Sequence, residues 1–148
     1  MQIRAARASD AGQVCELWEA VFGYAEARNA PEIVFDQALA RDQDALLVLV
    51  HGDRILGTLM AGYDGHRGWL YRCAVLPDCR GRGIGSQLVK RGEERLRALG
   101  CTKVNLQIHT SNEEGRQFWA ALGYGEEARI SMGKDLTGSA PPGSDAGC

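Results

Sequence analysis

The chain has 148 residues, a length typical of one domain that buries enough apolar surface to fold without disulfides. Its net charge of −2 argues against a general binder of nucleic acids or membranes. No apolar run approaches the roughly 20 residues of a membrane span, and the amino-terminal segment lacks a signal-peptide core. The five cysteines have neither metal nor redox spacing, so we expect free thiols in a cytoplasmic protein.

The first third of the chain predicts a strand, two helices and a second strand. We expect a strand over residues 3–7, then a helix that is capped by Ser9 and ended by Gly23. A second helix is predicted over residues 30–41. The continuous apolar run over residues 45–50 is typical of a buried strand.

The middle of the chain predicts two strands joined by a tight turn and followed by a long helix. The strands cover residues 54–63 and 69–75, and Asp64-Gly65 is a strong hairpin signal between them. A helix over residues 83–99 has a buried apolar stripe and ends at Gly100.

The last third predicts one more strand and helix before the sheet closes. Alternation of apolar and polar residues predicts a strand over residues 103–109. Asn112 or Ser111 caps a helix that runs to residue 122. Residues 126–134 can supply the closing strands, and the composition from residue 138 onward is that of a disordered tail.

A glycine-rich turn stands between the strand that ends near residue 76 and the long helix. Its residues are Arg80, Gly81, Arg82, Gly83, Ile84 and Gly85, followed by Ser86. Glycine permits positive φ and a close approach of ligand to backbone. The first amides of a helix have no intrahelical acceptor and favour an anion, and the two arginines add cationic donors. We therefore predict a diphosphate site at this turn.

Three other interpretations of the turn are possible. It lacks the Gly-Lys-Ser/Thr ending of a P-loop, which argues against a nucleoside triphosphatase. It also lacks the G-x-G-x-x-G spacing of a dinucleotide fold, and its strand is not the first one. A basic surface turn without any ligand remains an alternative, since so short a motif is only a hypothesis.

The turn and the residues before it resemble the acetyl-CoA signature of the GNAT N-acetyltransferases: Val75-x-Pro77-x-x-Arg80-Gly81-x-Gly83-x-Gly85. A second stretch resembles the fourth-helix motif of that family: Thr110-Ser111-Asn112, then Phe118-Trp119-x-x-Leu122-Gly123-Tyr124. Residues 62–68 further resemble the small YpeA-type members. The order and spacing agree, so we predict a GNAT domain over residues 1–136 and a flexible tail over residues 137–148.

The resemblance implies an α/β (α+β) fold with a central mixed, mostly antiparallel sheet. This sheet splays between its fourth and fifth strands and is flanked by about four helices, the first two forming one wall of an acceptor groove. At the splay the pantetheine amides of acetyl-CoA replace a missing strand partner, and an amide near Val75 polarises the thioester carbonyl. The cofactor-binding residues expected from the turn and the resemblance are Cys73, Ala74, Val75, Arg80, Gly81, Arg82, Gly83, Ile84, Gly85, Ser86, Asn112 and Trp119.

The catalytic residues are less clear, because the acid and base of many members are missing. Many carry a tyrosine on the fourth helix that protonates the departing thiolate, and some use a glutamate base on the fifth strand. The matching positions here are Trp119 and Gln107, and an indole N–H cannot act as an acid. Tyr71 and His109 are the nearest titratable candidates to assist. Cys73 is expected to be a strand residue and not an acyl carrier.

The resemblance implies transfer of an acetyl group from acetyl-CoA to a primary amine by direct attack in a ternary complex. The acceptor would be a small molecule or a peptide. No nucleic acid, membrane or metal is expected, and the frequency of dimers in the family allows a homodimer. Two alternatives stay open: an acyl-CoA-binding or sensing domain of the same fold with little catalysis, and a basic-turn interaction module without a cofactor.

Overall fold

A computed structural model describes residues 1–23 and 27–137 of the chain. The tail predicted from residue 137 onward, with Cys148, therefore lies outside the described residues except for Thr137. In the described part the five strands form one sheet in the order of the sequence. Their bounds are β1 Gln2–Ala5, β2 Leu46–His51, β3 Arg54–Tyr63, β4 Gly68–Val75 and β5 Val104–Leu106.

Four α-helices of the described residues cover the two faces of this sheet. Their bounds are α1 Ala11–Phe22, α2 Pro31–Arg41, α3 Ile84–Ala98 and α4 Glu113–Ala121. One apolar core lies between the sheet and the first two helices, and contains the fully buried Trp18 and Phe35. A second core lies on the α3 and α4 side, where Leu59, Leu88 and Trp119 meet. No helix of the described residues is both long and apolar enough to cross a membrane.

The sheet opens between β4 and β5, as the resemblance implied. The first four strands pair antiparallel, whereas β4 and β5 run parallel. Parallel pairing begins at Gly68 with Val104 and ends at Leu70 with Leu106. The predicted strand over residues 103–109 is consequently shortened to three residues, since β4 offers it no partner beyond Leu70.

A bulge in β4 accounts for this separation. Thr58 faces Ala74 and Met60 faces Tyr71, so two residues, Arg72 and Cys73, stand opposite the single residue between them on β3. Such a bulge bends its strand and increases the local twist. The bend follows directly after the last β4–β5 pair, so the far half of β4 diverges from β5.

The predicted cap of the first helix is wrong. Ser9 lies inside a short 3-10 turn, and α1 starts after Asp10 without a side-chain cap. Asp10 instead accepts hydrogen bonds from the Arg4 guanidinium, at 2.7 and 3.0 Å, and from the Arg7 amide at 2.8 Å. An ionised carboxylate satisfies three donors here, which the serine hydroxyl cannot do.

We expect Asp10→Asn to lower the free energy of unfolding at pH 7 by about 1.5–3 kcal/mol, the range for hydrogen bonds to charged groups. The Arg4 hydrogen bonds, as the largest cause, hold the pKa of Asp10 below its usual range. Stabilisation by a carboxyl with a depressed folded pKa is complete above the unfolded pKa, about 3.9, and is lost as the pH falls through the folded pKa. The difference between wild type and variant should therefore shrink in denaturation series below about pH 4. Asp36→Asn, on the exposed side of α2, is the control; an equal loss there would contradict the assignment.

The prediction of closing strands over residues 126–134 is wrong for this structure. The segment forms no strand and reaches β5 through side chains. Glu127 hydrogen-bonds Lys103 and Asn105, and Ser131 accepts a hydrogen bond from Gln107 at 2.6 Å. Side-chain hydrogen bonds, and not a backbone ladder, therefore join this segment to β5 and its neighbouring residues.

Candidate active site

A cavity of about 760 Å³ opens where β4 and β5 separate. It runs from the glycine-rich turn, past the diverging strands, to the end of α1 at Val21 and Phe22. Nearly all the residues predicted as functional line it: Tyr71, Cys73, Ala74, Val75, Arg80, Gly81, Gly83, Ile84, Gly85, Ser86, His109, Asn112 and Trp119. Arg82 is the exception, since it lies in the turn but is exposed and outside the cavity wall.

The glycine-rich turn has the backbone conformation that its sequence predicts. Gly81 and Gly83 have φ of 80° and 75°, in the left-handed region that residues with a Cβ disfavour. Gly83 is also the N-cap of α3, and within residues 1–23 and 27–137 no side chain caps this helix. The amides of the first turn of a 15-residue helix are therefore directed at one end of the cavity, where an anion would satisfy them.

Close packing fixes the position of this helix start. A Cβ on Gly85 would lie 3.0 Å from the ring of Phe118, so α3 and α4 approach each other through the missing side chain. A Cβ on Gly57 would lie 3.0 Å from the Ala74 carbonyl and equally close to Ile84. Glycine in β3 thus lets α3 lie directly against the strands that form the wall of the cavity.

The far half of β4 contributes backbone groups to the cavity. Leu70 is the last β4 residue that pairs with β5, and Cys73, Ala74 and Val75 line the wall beyond it. On its other edge β4 remains hydrogen-bonded to β3 through Ala74 and Val75. One edge of this segment therefore faces the cavity, where an extended ligand with amide groups can pair with it.

The fourth helix completes the wall opposite β4. Asn112 caps α4 as predicted, because its side chain accepts a hydrogen bond from the Gly115 amide at 2.9 Å. Trp119 is 8% exposed and packs edge-on against Phe118 and Tyr124, with ring centroids 5.0 and 5.2 Å away. Tyr124 donates a 2.6 Å hydrogen bond to Glu93. Burial, and next to it this hydrogen bond, raise the pKa of Tyr124 above its usual range.

Comparison with known proteins agrees with this geometry. The model of the acetyltransferase (GNAT) family matches residues 12–124. An acetyltransferase of Sodalis glossinidius is 37% identical over 92% of this chain and 96% of its own length. One from Pectobacterium atrosepticum is 38% identical over the same shares of the two chains.

The chain belongs to the GNAT acetyltransferase family.

A solved structure shows that the fold agrees as well. The PaiA N-acetyltransferase of Thermoplasma acidophilum, in complex with coenzyme A, superposes with a TM-score of 0.75 over 97% of this chain and 94% of its own. Its 18% identity limits that comparison to the fold. As a GNAT enzyme, the protein is an acetyl-CoA-dependent acyltransferase, and the thioester is its acyl donor.

The two titratable candidates lie on opposite sides of the splay in this GNAT enzyme. Tyr71 is 47% exposed and its ring stacks on Trp69, with centroids 6.5 Å apart. His109 is exposed, and its Nδ1 lies 3.3 Å from the Ser111 hydroxyl. Gln107, at the position of the family glutamate, lines the cavity between them and donates to Ser131. The catalytic roles of Tyr71 and His109 remain predictions.

Several residues of this wall were not expected from the sequence. The resemblance implied that α1 forms one wall of a groove, but it named neither Val21 nor Phe22, the two α1 residues that line the cavity. Glu114 and Phe118 reach the wall from α4, and only the second belonged to a quoted motif. Position alone could have indicated Val21 and Phe22, because they are the last residues before the glycine that ends α1.

Proposed function

We propose that this GNAT enzyme transfers the acetyl group of acetyl-CoA to a primary amine of a small molecule or peptide, by direct attack in a ternary complex. The observation that carries the proposal is one continuous cavity with an anion-binding helix start at one end and an open strand edge at its middle. We further propose that residues 1–136 are the catalytic domain and that the enzyme is cytoplasmic, with its described cysteines as free thiols.

Different residues along the cavity would bind different parts of acetyl-CoA. The amides at Gly83, Ile84 and Gly85 would hold the diphosphate, with Arg80 at the rim. The edge of β4 would align the pantetheine arm, and the amide near Val75 would stabilise the negative charge that develops on the carbonyl oxygen. Acetyl-CoA itself supplies an activated acyl group.

Direct attack needs a neutral amine but no enzyme nucleophile. The amine nitrogen bonds to the acetyl carbon, the carbon–sulfur bond breaks, and the thiolate leaves with the bond electrons. The amine gives up a proton to water, or to a group such as His109, while water or Tyr71 can protonate the thiolate. A thiol with a pKa of about 8.5 is a tolerable leaving group even without an acid.

Position 107 holds a glutamine and not a carboxylate base, so the enzyme should prefer acceptor amines that are easily deprotonated. Neutralising a lysine-like amine of pKa about 10.4 near pH 7 requires about 4–5 kcal/mol, but an α-amine of pKa about 7.7–8 requires only about 1–1.4 kcal/mol. We therefore expect α-amines to be the better acceptors. An assay of lysine-like amines and α-amines with acetyl-CoA, in which release of the coenzyme A thiol is measured, tests both acetyl transfer and the preference for α-amines.

The second candidate is an acyl-CoA-binding or sensing domain with little catalysis. It is favoured by the residues at the two positions where many relatives hold an acid and a base, Trp119 and Gln107. Tight binding of acetyl-CoA by calorimetry, without thiol release with any amine, would support this candidate and contradict transfer. A lysine-like amine as the best acceptor near pH 7, with a group titrating near pH 6 to 7, would instead identify a base, and His109 would be the first residue to replace.

We expect Cys73→Ala to retain most of the wild-type turnover, since direct attack requires no acyl-enzyme. Cys73 lines the cavity, so it is the thiol best placed to contradict this expectation. Intact-mass spectrometry should find no acetylated protein when the wild type is mixed with acetyl-CoA alone. Cys15→Ala, which removes a buried thiol of α1 outside the cavity, is the matched control. An acetyl adduct on Cys73 that passes to the acceptor would overturn direct attack.

A further inference from the structure

The cavity between β4 and β5 meets a second groove, of about 1520 Å³, that follows β5. Tyr71, Gln107 and His109 line both spaces, so the two are continuous at this point. With the donor along the glycine-rich turn and the far half of β4, as proposed above, the second groove is left for the acceptor. Groove residues beside Tyr71 would then contact the part of the acceptor next to its amine.

Two aromatic rings on one face of β4 border the groove at this point. Trp69 and Tyr71 are two residues apart, and side chains at that spacing stand on the same face of a strand. Their ring centroids are 6.5 Å apart and the ring planes differ by 23°, so the rings are nearly parallel. Tyr71 is almost half exposed, whereas Leu70 on the opposite face is buried. We call Trp69 and Tyr71 the aromatic pair.

The ring of Trp69 is held in place from the turn between β3 and β4. Its indole N–H donates a hydrogen bond to the Asp64 carboxylate. That carboxylate also accepts hydrogen bonds from the amides of His66 and Arg67, at 2.8 and 2.7 Å, and is therefore part of an ordered turn. An aromatic side chain has only two side-chain torsions, and it loses little conformational entropy when a ligand packs against it. The aromatic pair is thus preorganised for binding.

Apolar side chains and open space adjoin the aromatic pair. Val34 of α2 and Met60 of β3 line the same groove, and Met60 stands opposite Tyr71 in the register of β3 and β4. Gly62 stands opposite Trp69, and a Cβ at Gly62 would meet no atom within 4 Å. A concave space that is lined by aromatic and apolar side chains is typical of a site for a small organic group. The groove therefore offers room beside the two rings for an apolar part of the acceptor.

The charges around the aromatic pair favour an uncharged acceptor group. Arg67 lines the groove and donates to the side-chain carbonyl of Asn105 at 3.5 Å. Lys103 also lines the groove and is paired with Glu127. The carboxylates of Asp64 and Glu127 both accept hydrogen bonds from groups of the chain itself. A cationic acceptor side chain would therefore meet Arg67 and Lys103, whereas an aromatic ring is compatible with a neighbouring cation.

We infer that the aromatic pair selects acceptors that carry an aromatic side chain next to the reacting α-amine. This inference rests on the proposed function and names the class of its acceptor. An acceptor ring against the pair buries apolar area and gains ring–ring contacts beyond that area. Tyr71 lies where the two spaces meet, so a ring that is held there would direct the amine toward the open edge of β4, where the thioester is proposed to lie.

The test compares α-amines that differ only in their side chain. The carboxamides of phenylalanine, leucine, alanine and arginine are assayed with acetyl-CoA, and rates are referred to the fraction of neutral α-amine. We expect kcat/KM for the phenylalanine amide to exceed that for the alanine amide about 10- to 100-fold and that for the leucine amide about 2- to 10-fold, mainly through KM. Any of the other three amides acetylated as well as the phenylalanine amide would overturn the inference and leave transfer to amines intact. No acetylation of any amine, despite binding of acetyl-CoA, would contradict the proposed function itself.

Two substitutions assign the preference to the aromatic pair. Trp69→Leu should bring the ratio of kcat/KM for the phenylalanine and leucine amides close to one and leave the KM for acetyl-CoA unchanged. Tyr71→Phe keeps both rings and should keep the ratio, even if loss of the phenol lowers turnover. The control is Tyr63→Leu, which removes a partly buried ring of β3 that packs against the core on the α3 side and lines neither space, and it should keep the ratio.

A second variant is available if circular dichroism shows that Trp69→Leu does not fold. Tyr71→Leu then takes its place, because Tyr71 is almost half exposed. The ratio of two acceptors within one variant cancels a common loss of turnover, so Tyr71→Leu reports recognition even if the phenol assists the chemistry. A ratio equal to that of the wild type in whichever of the two variants folds would contradict the role of the aromatic pair.

Discussion

Replacing Gly83 by aspartate is expected to weaken the binding of acetyl-CoA by about 100-fold or more, equivalent to about 2.7 kcal/mol. Gly83 has φ of 75°, and a Cβ there meets no atom within 4 Å, so the variant would suffer backbone strain without a steric clash. A carboxylate at the N-cap of α3 would occupy the space of the diphosphate and repel it. Titration calorimetry with acetyl-CoA measures the loss directly.

Two further variants separate charge from strain at this turn. Gly83→Asn keeps nearly the same size without the charge, and asparagine tolerates the left-handed region, so we expect a smaller loss of affinity. Gly52→Asp is the matched control, since Gly52 also has positive φ, 62°, and open space, but lies in the β2–β3 turn outside the cavity. Equal affinity of Gly83→Asp and wild type would refute the diphosphate site.

Replacing Trp119 by alanine is expected to lower the free energy of unfolding by about 3–5 kcal/mol, the range for large aromatic residues in a core. Trp119 is 8% exposed and joins the core formed by α3, α4 and the sheet. Its edge-on contacts with Phe118 and Tyr124 would be lost together. Denaturant unfolding measures the change. Trp69→Ala removes the same type of side chain from a half-buried position on β4, and we expect it to lower the free energy of unfolding clearly less than Trp119→Ala does.

A tyrosine at position 119 separates the packing role from the chemistry. Trp119→Tyr keeps an aromatic ring, so its loss of stability should be about 1–3 kcal/mol. It also adds a phenol at the position where many relatives hold their acid, and we expect turnover to rise, since a positioned acid contributes about 100-fold or more. A pH–rate profile of both proteins on an α-amine detects this. Turnover that does not rise in a folded variant would show that Trp119 acts through packing alone.

Much of the site could be predicted because its parts are contiguous in sequence. The turn at residues 80–86 carries its own glycines, arginines and helix start, and its conformation depends little on the rest of the chain. Asn112 caps α4 through an amide three residues away. The start of α1 was predicted less well, because both Ser9 and Asp10 are residue types that cap helices. Ser9 lies inside a 3-10 turn, and the carboxylate of Asp10 binds the Arg4 guanidinium.

The sequence by itself determined the family, most of the elements and the glycine-rich turn that is predicted to bind the donor, because periodicity, turn residues and helix starts act over a few residues. Only the tertiary structure decided how the end of the cavity beside α1 is built. Arg72 reads as an ordinary strand residue until β3 and α1 enclose it through Thr58 and Trp18, which are 40 residues apart. Likewise, only the structure shows that residues 127–131 reach β5 and the residue after it through side chains and form no closing strand. Such contacts join distant segments, and no local pattern of residues encodes which of them will meet.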